Sequence, residues 1–346
     1  MSTRDIMVSP AEKRMHKRNL IVVGAFGLAI IIVFILSMNT GFIRLTPMEL
    51  LHTILGDGTS QQELILFDFR LPRIVLSLLV GTGLAVSGSV MQAISRNGLA
   101  DPGILGVNSG AGLAVLLFVV FFPVAASAPV YLLPLLAWGG SAFTAALVFT
   151  LAYRRNAGIS PTRLLLSGVA VTAGISAVTI VLSLRISKEK FMFIQTWLAG
   201  SIWGKDWQFV LALLPFIAIL LPYVFYKART LNILNLGESM ATGLGAFVSR
   251  EQILLLAAAV GLAGSCVAVS GSIGFVGLIA PHLARRLVGS RHQALLPVTA
   301  LVGALLIITA DTIARWAFMP SEIPTGIVVA VIGSPYFLFL LVRSKA

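Results

Sequence analysis

Residues 67–83 read "FDFRLPRIVLSLLVGTG", and they decide the fold because they join a charged turn to the start of a long apolar run. The run continues to about residue 95, and about 20 apolar residues suffice for a helix to cross a bilayer. The stretch therefore predicts a membrane-spanning helix with Arg70 and Arg73 at its edge. Charged groups at this depth need water, headgroups or a partner, so these arginines are candidates for a functional role.

The whole chain has the composition of a polytopic membrane protein. Of its 346 residues, 58% are hydrophobic and 11% are charged, against about a quarter charged in an ordinary soluble domain. We expect an all-α fold of about ten transmembrane helices in one transmembrane domain, 1–346, with the eighth helix short and containing Pro281. The predicted spans lie near 19–39, 71–95, 104–122, 129–153, 161–184, 207–226, 250–270, 274–288, 293–314 and 323–342.

Basic residues are distributed unequally between the two sides of these spans. Seventeen of the 25 lysines and arginines fall on the side of the N-terminal tail, 1–18, and eight fall on the other side. Because cytoplasmic loops carry the excess of Lys and Arg, both termini and the longest loop, 227–250, are predicted to be cytoplasmic. The net charge of +12 is explained by this topology, and no basic stripe with interleaved aromatic residues predicts nucleic-acid binding.

A short repeat suggests that the chain is internally duplicated. The sequence "AVSGS" occurs at 85–89 and again at 268–272, each time in a glycine-rich span that is followed by a turn and a proline. The two spans run in opposite directions through the predicted topology, so the halves would form an inverted repeat. In many transporters such repeats place the transport path at their interface.

The sequence offers no catalytic constellation. It contains no G-x-x-x-x-G-K-[ST] signature for ATP binding, its four histidines are scattered, and the single Cys266 cannot form a disulfide or a thiolate metal site within one chain. We therefore expect no catalytic residue, no metal site and no cofactor bound by this chain. The loop 227–250 combines apolar residues with glycine breaks, which predicts one or two short surface helices that either lie on lipid headgroups or dock a cytosolic partner.

Three arginines are predicted at span ends on the outer side, where positive charge is scarce: Arg70, Arg73 and Arg315. They could anchor the spans at the headgroups, and Arg315 lies one helical turn after Asp311, so these two could form an ion pair. Alternatively, they could form a docking surface for an acidic partner, because a guanidinium group binds a carboxylate through two hydrogen bonds.

Three long motifs carry a family resemblance, in the order 69–112, 270–285 and 310–341. They read "FRLPRIVLSLLVGTGLAVSGSVMQAISRNGLADPGILGVNSGAG", "SGSIGFVGLIAPHLAR" and "ADTIARWAFMPSEIPTGIVVAVIGSPYFLFLL". The chain resembles the permease subunits of bacterial ABC importers for ferric siderophores, haem and cobalamin. One departure is Gly98, where many relatives have proline.

The resemblance implies a cell-membrane importer built from two permease subunits, as a homodimer or heterodimer, with two cytosolic ATP-binding subunits that carry ATP and Mg. An extracytoplasmic binding protein would deliver the chelate and dock at Arg70, Arg73 and Arg315, which an inverted repeat could place on both sides of one mouth. The passage itself would be wide and weakly polar, without fixed charges. The implied coupling residues are Leu236, Gly237, Glu238, Ala241, Leu244 and Gly245, and the implied cytoplasmic gate residues are Asn97, Gly98, Leu99, Ser160 and Thr162.

Three classes of function remain open from the sequence. The importer permease is preferred, with a ferric hydroxamate siderophore as cargo and haem or cobalamin as alternatives. An ion-coupled secondary carrier and a structural or receptor membrane protein are the other two, although no chain of ionisable residues crosses a span as proton-coupled carriers usually require.

Overall fold

The computed structural model describes residues 10–40, 46–122, 131–154, 158–317 and 321–343. Apolar helices dominate it because a backbone in lipid must satisfy its own hydrogen bonds. The helices, in chain order, are α1 Pro10–Asn39, α2 Pro47–Leu55, α3 Ser60–Glu63, α4 Leu71–Ser95, α5 Val107–Phe121, α6 Leu132–Ala152, α7 Pro161–Ser183, α8 Lys188–Ala199, α9 Trp207–Tyr226, α10 Ala228–Asn235, α11 Glu238–Gly243, α12 Val248–Ser270, α13 Val276–Val288, α14 His292–Trp316 and α15 Thr325–Arg343.

Three minor elements complete the described chain. A π-helical turn, Leu64–Arg70, leads into α4, and a 3₁₀ turn, Pro102–Leu105, leads into α5. Strands β1 Tyr153–Arg154 and β2 Gly158–Ile159 form a short antiparallel pair between α6 and α7. The strand pair was not predicted from the sequence.

Each of the ten predicted spans coincides with a helix. Within the described residues, seven helices are long and apolar enough to cross a membrane: α1, the helical segment that ends with α4, α6, α7, α9, α12 and α14. Helices α5 and α15 are shorter apolar helices, and α13 has 13 residues, as expected for the short span that contains Pro281. The all-α polytopic fold predicted from the sequence is therefore confirmed.

The boundaries of α1 differ from the prediction. The helix begins at Pro10, so the second half of the predicted N-terminal tail is helical, whereas residues 1–9 lie outside the described residues. Proline is favoured at the first position of a helix, and the following Ala, Glu, Lys and Arg residues have high helix propensity. Charge alone therefore marks the start of the membrane span but not the start of the helix.

The packing of the helices follows the predicted internal repeat. Helices α4 to α7 correspond in order to α12 to α15, and the two leading helices, α4 and α12, pack against each other. Each leading helix also packs against the third helix of the other half, so that α4 contacts α14 and α12 contacts α6. Four spans, α5, α6, α7 and α9, lie between α4 and α12 in the chain, so the two leading helices cross the membrane in opposite directions.

Burial divides the bundle into an inner and an outer set of helices. In the segment that contains α4, 78% of the residues in the most apolar part of the span are buried. The corresponding share is only 11% in α7 and 6% in α1. The inner helices approach closely where small residues meet, and a Cβ on Gly81 would lie 2.3 Å from the Gly303 carbonyl oxygen. Helices α1 and α7 therefore offer most of their surface to lipid or to another chain.

Candidate translocation, coupling and docking sites

One face of α7 carries small polar residues although the helix is exposed. Ser176, Thr179 and Ser183 follow one another at helical spacing and line a cavity of about 490 Å³. Asn108 of α5 and Gln195 of α8 lie on its other walls, and the described residues that line it include no charged side chain. A polar face is unfavourable against lipid tails, so this face suits a water-filled path or a second subunit.

An uncharged passage was predicted from the sequence, but the residues that line this cavity were not, and its role as the passage stays a prediction. The hydroxyl groups of Thr179 and Ser183 donate hydrogen bonds to their own helix, at 2.9 Å to the Ile175 carbonyl and 2.7 Å to the Thr179 carbonyl. The spacing of Ser and Thr along α7 was available as a signal. Helix α8, which supplies Gln195, was not predicted, because its charged N-terminal turn interrupts the apolar pattern.

The predicted gate turn at Asn97, Gly98 and Leu99 directly follows α4. The Asn97 side-chain oxygen accepts the Leu99 N–H at 2.9 Å, and the Asn97 carbonyl accepts the Ala100 N–H at 3.0 Å, which fixes the turn. A Cβ on Gly98 would lie 3.6 Å from Nη1 of Arg285 in α13, and the backbone of Gly98 is not in the left-handed region. Glycine is therefore not required at this position.

The other predicted gate residues, Ser160 and Thr162, lie at the start of α7. Ser160 precedes the first residue of α7 and its carbonyl accepts the Leu164 N–H at 3.0 Å. Helix α7 packs against the 3₁₀ turn Pro102–Leu105, and a Cβ on Gly168 would clash with the Ile104 carbonyl oxygen. The start of α7 and the turn at 97–99 thus both adjoin this 3₁₀ turn, and their role as a gate stays a prediction.

The predicted coupling loop contains two short helices, α10 and α11, as the glycine breaks indicated. We call residues 227–250 the coupling segment. Ala241 is buried, whereas Leu236 and Leu244 are exposed, and two further exposed apolar residues, Met240 and Phe247, were missed from the sequence. The four exposed residues lie in α11 or within four residues of its ends, and so many exposed large apolar side chains are unusual for a segment that does not span the membrane.

One ion pair and two glycine conformations define the shape of the coupling segment. Lys227 Nζ lies 2.8 Å from Glu251 Oε1, and this hydrogen bond raises the pKa of Lys227. Gly237 lies between α10 and α11 with φ of 107°, a conformation that side chains rarely adopt. Gly245 also has a positive φ, and Glu238 is exposed at the first position of α11.

The coupling segment contacts the helix that leads into the gate turn. Helix α10 packs against α4, and a Cβ on Gly237 would lie 4.0 Å from Nη1 of Arg96, the residue between α4 and Asn97. Arg96 itself has a positive φ of 50°. A displacement of the coupling segment would therefore act directly on the residue that precedes the turn at 97–99.

The three outer arginines form one cluster around Asp311, and we call these residues with Glu322 the arginine cluster. Arg73 binds both carboxylate oxygens of Asp311, with Nη2 at 2.9 Å from Oδ1 and Nε at 3.0 Å from Oδ2. It also binds Glu322 through Nη1 at 2.8 Å. Arg315 Nε lies 3.3 Å from Asp311 Oδ2, so the ion pair expected one helical turn apart is present.

Arg70 and Arg315 also bind the last turn of α1. Arg70 donates to the Met38 carbonyl, and Arg315 Nη1 donates to the carbonyls of Ser37 and Thr40 at 3.2 and 3.1 Å. The last carbonyls of a helix have no partner within the helix and carry partial negative charge, so guanidinium groups stabilise this end. The cluster therefore joins α1, α4 and α14.

The arrangement of these arginines corrects one expectation. The sequence analysis allowed an inverted repeat to bring them to both sides of one mouth, but within this chain Arg73 and Arg315 share one carboxylate, because α4 and α14 pack side by side. The exposed fractions of Arg70, Arg73 and Arg315 are 6%, 7% and 5%. Their guanidinium groups thus bind acceptors of their own chain, and their role in docking stays a prediction.

An inverted repeat of apolar helices, an uncharged polar cavity and an exposed apolar segment together define a membrane transport protein. The FecCD transport family model matches residues 29–343, and the chain belongs to this family. Within the described residues, no three or more His, Cys, Asp or Glu side chains are grouped so as to hold a metal ion.

Named relatives and one solved structure are similar over nearly the full length. The iron(3+)-hydroxamate import system permease protein FhuG of Bacillus subtilis (strain 168) is 48% identical over 337 residues, which cover 96% of this chain and all of the relative. The Fe(3+) dicitrate transport system permease protein FecD of Escherichia coli (strain K12) is 40% identical, covering 90% of this chain and 95% of the relative. A solved chain described as a metal-chelate type ABC transporter, inward-facing, superposes with a TM-score of 0.82 at 33% identity, covering 94% of this chain and 99% of that chain.

Proposed function

We propose that this protein is the membrane-spanning permease subunit of an ATP-driven importer for an iron(III)-hydroxamate siderophore. The choice of cargo rests on the similarity to the iron(3+)-hydroxamate permease, which is 48% identical and is covered over its whole length. The uncharged cavity beside α7 supports it, because a bulky chelate passes most easily where no fixed charge holds it. Ferric dicitrate is the second candidate, since FecD is 40% identical.

The proposed importer contains two permease subunits, as a homodimer or heterodimer, in a bacterial cell membrane. Helix α7 supports a second subunit, because a helix with a polar face and only 11% burial needs a partner other than lipid. The excess of basic residues on the side of the N-terminus and the coupling segment supports placing both, with the C-terminus, in the cytoplasm.

Two cytosolic ATP-binding subunits are proposed to dock on the coupling segment and to carry ATP and Mg, so that this chain is not itself an enzyme. The exposed apolar residues Leu236, Met240, Leu244 and Phe247 support this contact, since burying them against a partner is favourable. The packing of α10 on α4 supports a mechanism in which ATP binding moves the gate turn at 97–99.

An extracytoplasmic binding protein is proposed to dock near the arginine cluster. Three arginines against Asp311 and Glu322 leave one positive charge in excess within the cluster, which would attract an acidic surface. Each buried guanidinium group would have to exchange an acceptor of its own chain for one of the partner.

The proposal is tested by uptake of ⁵⁵Fe-labelled ferric hydroxamate in cells that lack their own hydroxamate permease. Expression of this chain with its ATP-binding and binding-protein partners should restore uptake, and removal of the ATP-binding subunit should abolish it. Restored uptake of ferric dicitrate instead would establish the second candidate. Uptake that persists without the ATP-binding subunit but collapses with the proton gradient would show a secondary carrier.

A further inference from the structure

A basic groove lies between the start of α1, the α13–α14 connection and α10. Two adjoining cavities of about 760 and 850 Å³ form it, and both are lined by Asn19 and Arg291. Lys13, Lys17 and Arg18 line the second cavity, and the described residues around both include no aspartate or glutamate. We call this site, defined by Lys13, Lys17, Arg18, Asn19 and Arg291, the basic groove.

The groove is basic at one end and apolar at the other, which matches the headgroup and the acyl chains of an anionic phospholipid. The basic residues of α1 precede Leu20, where the apolar part of this helix begins, and the first cavity continues along Val23 of α1 and Pro297 of α14. The spanning window of α1 is only 6% buried, so the groove opens to lipid along this helix. A headgroup would thus meet positive charge while its acyl chains meet apolar side chains.

One polar atom in the groove has no hydrogen-bond partner among the residues that the structure describes. The Asn19 side-chain oxygen is buried and accepts no hydrogen bond. Buried acceptors are nearly always satisfied, so this oxygen calls for a donor from outside the chain. Rotation of the Asn19 amide would turn this oxygen towards the groove, where a headgroup hydroxyl can donate to it while the neighbouring phosphate binds the basic side chains.

We propose that the basic groove binds one anionic phospholipid with a hydroxylated headgroup, such as phosphatidylglycerol. The phosphate contacts Lys17 and Arg291, and a glycerol hydroxyl donates to Asn19. Because Asn232 and Leu236 of the coupling segment line the same cavity, the bound lipid also touches the segment proposed to dock the ATP-binding subunits. The lipid site does not depend on the identity of the cargo, but its placement on the cytoplasmic leaflet rests on the proposed orientation.

Native mass spectrometry of the full-length protein in mild detergent tests the site, with phosphatidylglycerol and phosphatidylcholine added in turn. The wild-type protein should retain one phosphatidylglycerol at concentrations at which phosphatidylcholine is lost. Lys17→Gln with Arg291→Gln should weaken this binding on the order of tenfold or more, since each basic contact adds to the attraction. Both side chains are exposed, so the folded state should be retained.

The matched control is Arg185→Gln with Lys188→Gln, which removes the same two charges from exposed positions away from the groove. This control should bind phosphatidylglycerol as the wild-type protein does. Equal retention of the two lipids by the wild-type protein, or undiminished binding by the groove variant, would overturn the proposal. Loss of the ATP-binding subunits from the groove variant in lipid-free detergent would also overturn it, because the groove would then be a protein contact.

Discussion

The arginine cluster and the coupling segment use opposite chemistry at opposite ends of the bundle. The cluster consists of charged residues that are almost fully buried, and each guanidinium group has acceptors within the chain. The coupling segment carries large apolar residues that are exposed, with Met240 at 64% and Leu244 at 63%. Charge is therefore satisfied inside the subunit at one end, and apolar surface is left without a described partner at the other.

This contrast separates what holds the subunit together from what it offers to a partner. Removing a buried carboxylate that two arginines share lowers the free energy of unfolding much more than removing one partner of an exposed ion pair does. An exposed apolar surface adds nothing to the stability of the isolated subunit, but it becomes favourable when a partner covers it. Substitutions in the cluster should thus act first on folding, and those in the segment first on transport.

The largest effect on stability is expected from Asp311→Asn. This change leaves Arg73 and Arg315 buried without their shared carboxylate, and removal of one partner of a buried ion pair costs about 3–5 kcal/mol. We expect a lower yield in the membrane and a lower midpoint of thermal unfolding in detergent. Asp206→Asn is the control, because Asp206 is exposed and Asn can still accept the Gln208 N–H that caps α9. Similar losses in both variants would contradict a special role for the cluster.

An intermediate effect is expected within the coupling segment, from Gly237→Ala. At φ of 107°, a side chain at residue 237 is strained, which costs about 1–3 kcal/mol locally and should displace the start of α11 relative to Arg96. Substrate-stimulated ATP hydrolysis by the complex should fall while the yield of the permease changes little. Gly243→Ala in the same segment has open space and no positive φ, so it should be neutral. Equal hydrolysis in the two variants would show that the backbone at Gly237 is not used for coupling.

A smaller loss of stability than from Asp311→Asn is expected from Arg70→Gln. It removes the hydrogen bond that the charged guanidinium group donates to the Met38 carbonyl, and bonds of this kind contribute about 1.5–3 kcal/mol, but it leaves Asp311 with both of its arginines. If docking uses Arg70, the association rate of the binding protein should also fall, and the rate of the variant should depend less on salt than that of the wild-type protein. Unchanged association at low salt would remove Arg70 from the docking surface.

Most of the fold was predictable because membrane spans and short glycine-bounded helices are local patterns. The ten apolar runs, the short span around Pro281 and the two helices of the coupling segment all follow from residues that are close in sequence. Helix α2 could also have been found, since Thr46 and Glu49 form a capping box and Gly56 ends the helix. Helix α8 was missed because its charged N-terminal turn interrupts the apolar pattern.

The sites were less predictable because their geometry depends on contacts between distant parts of the chain. The Arg73–Asp311 pair joins residues 238 positions apart, so only the pair Asp311–Arg315, one helical turn apart, was visible in the sequence. The position of Arg70 and Arg315 against the end of α1 likewise follows from packing of α1 on α14. For this reason the same three arginines were assigned to an outer surface when their side chains point into the chain's own interior.

The central claim is that ATP-binding subunits drive uptake of ferric hydroxamate by acting on the coupling segment. Transport by the assembled complex in proteoliposomes tests this claim most directly. The wild-type complex should take up ⁵⁵Fe-hydroxamate only with ATP, and Met240→Ser with Leu244→Ser should reduce uptake at least about tenfold, equivalent to roughly 1.4 kcal/mol of lost coupling. Met48→Ser with Leu55→Ser, which alters the same residue types at 63% and 69% exposure in α2, should transport normally. Uptake that needs no ATP, or full transport by the Met240 and Leu244 variant, would contradict the account.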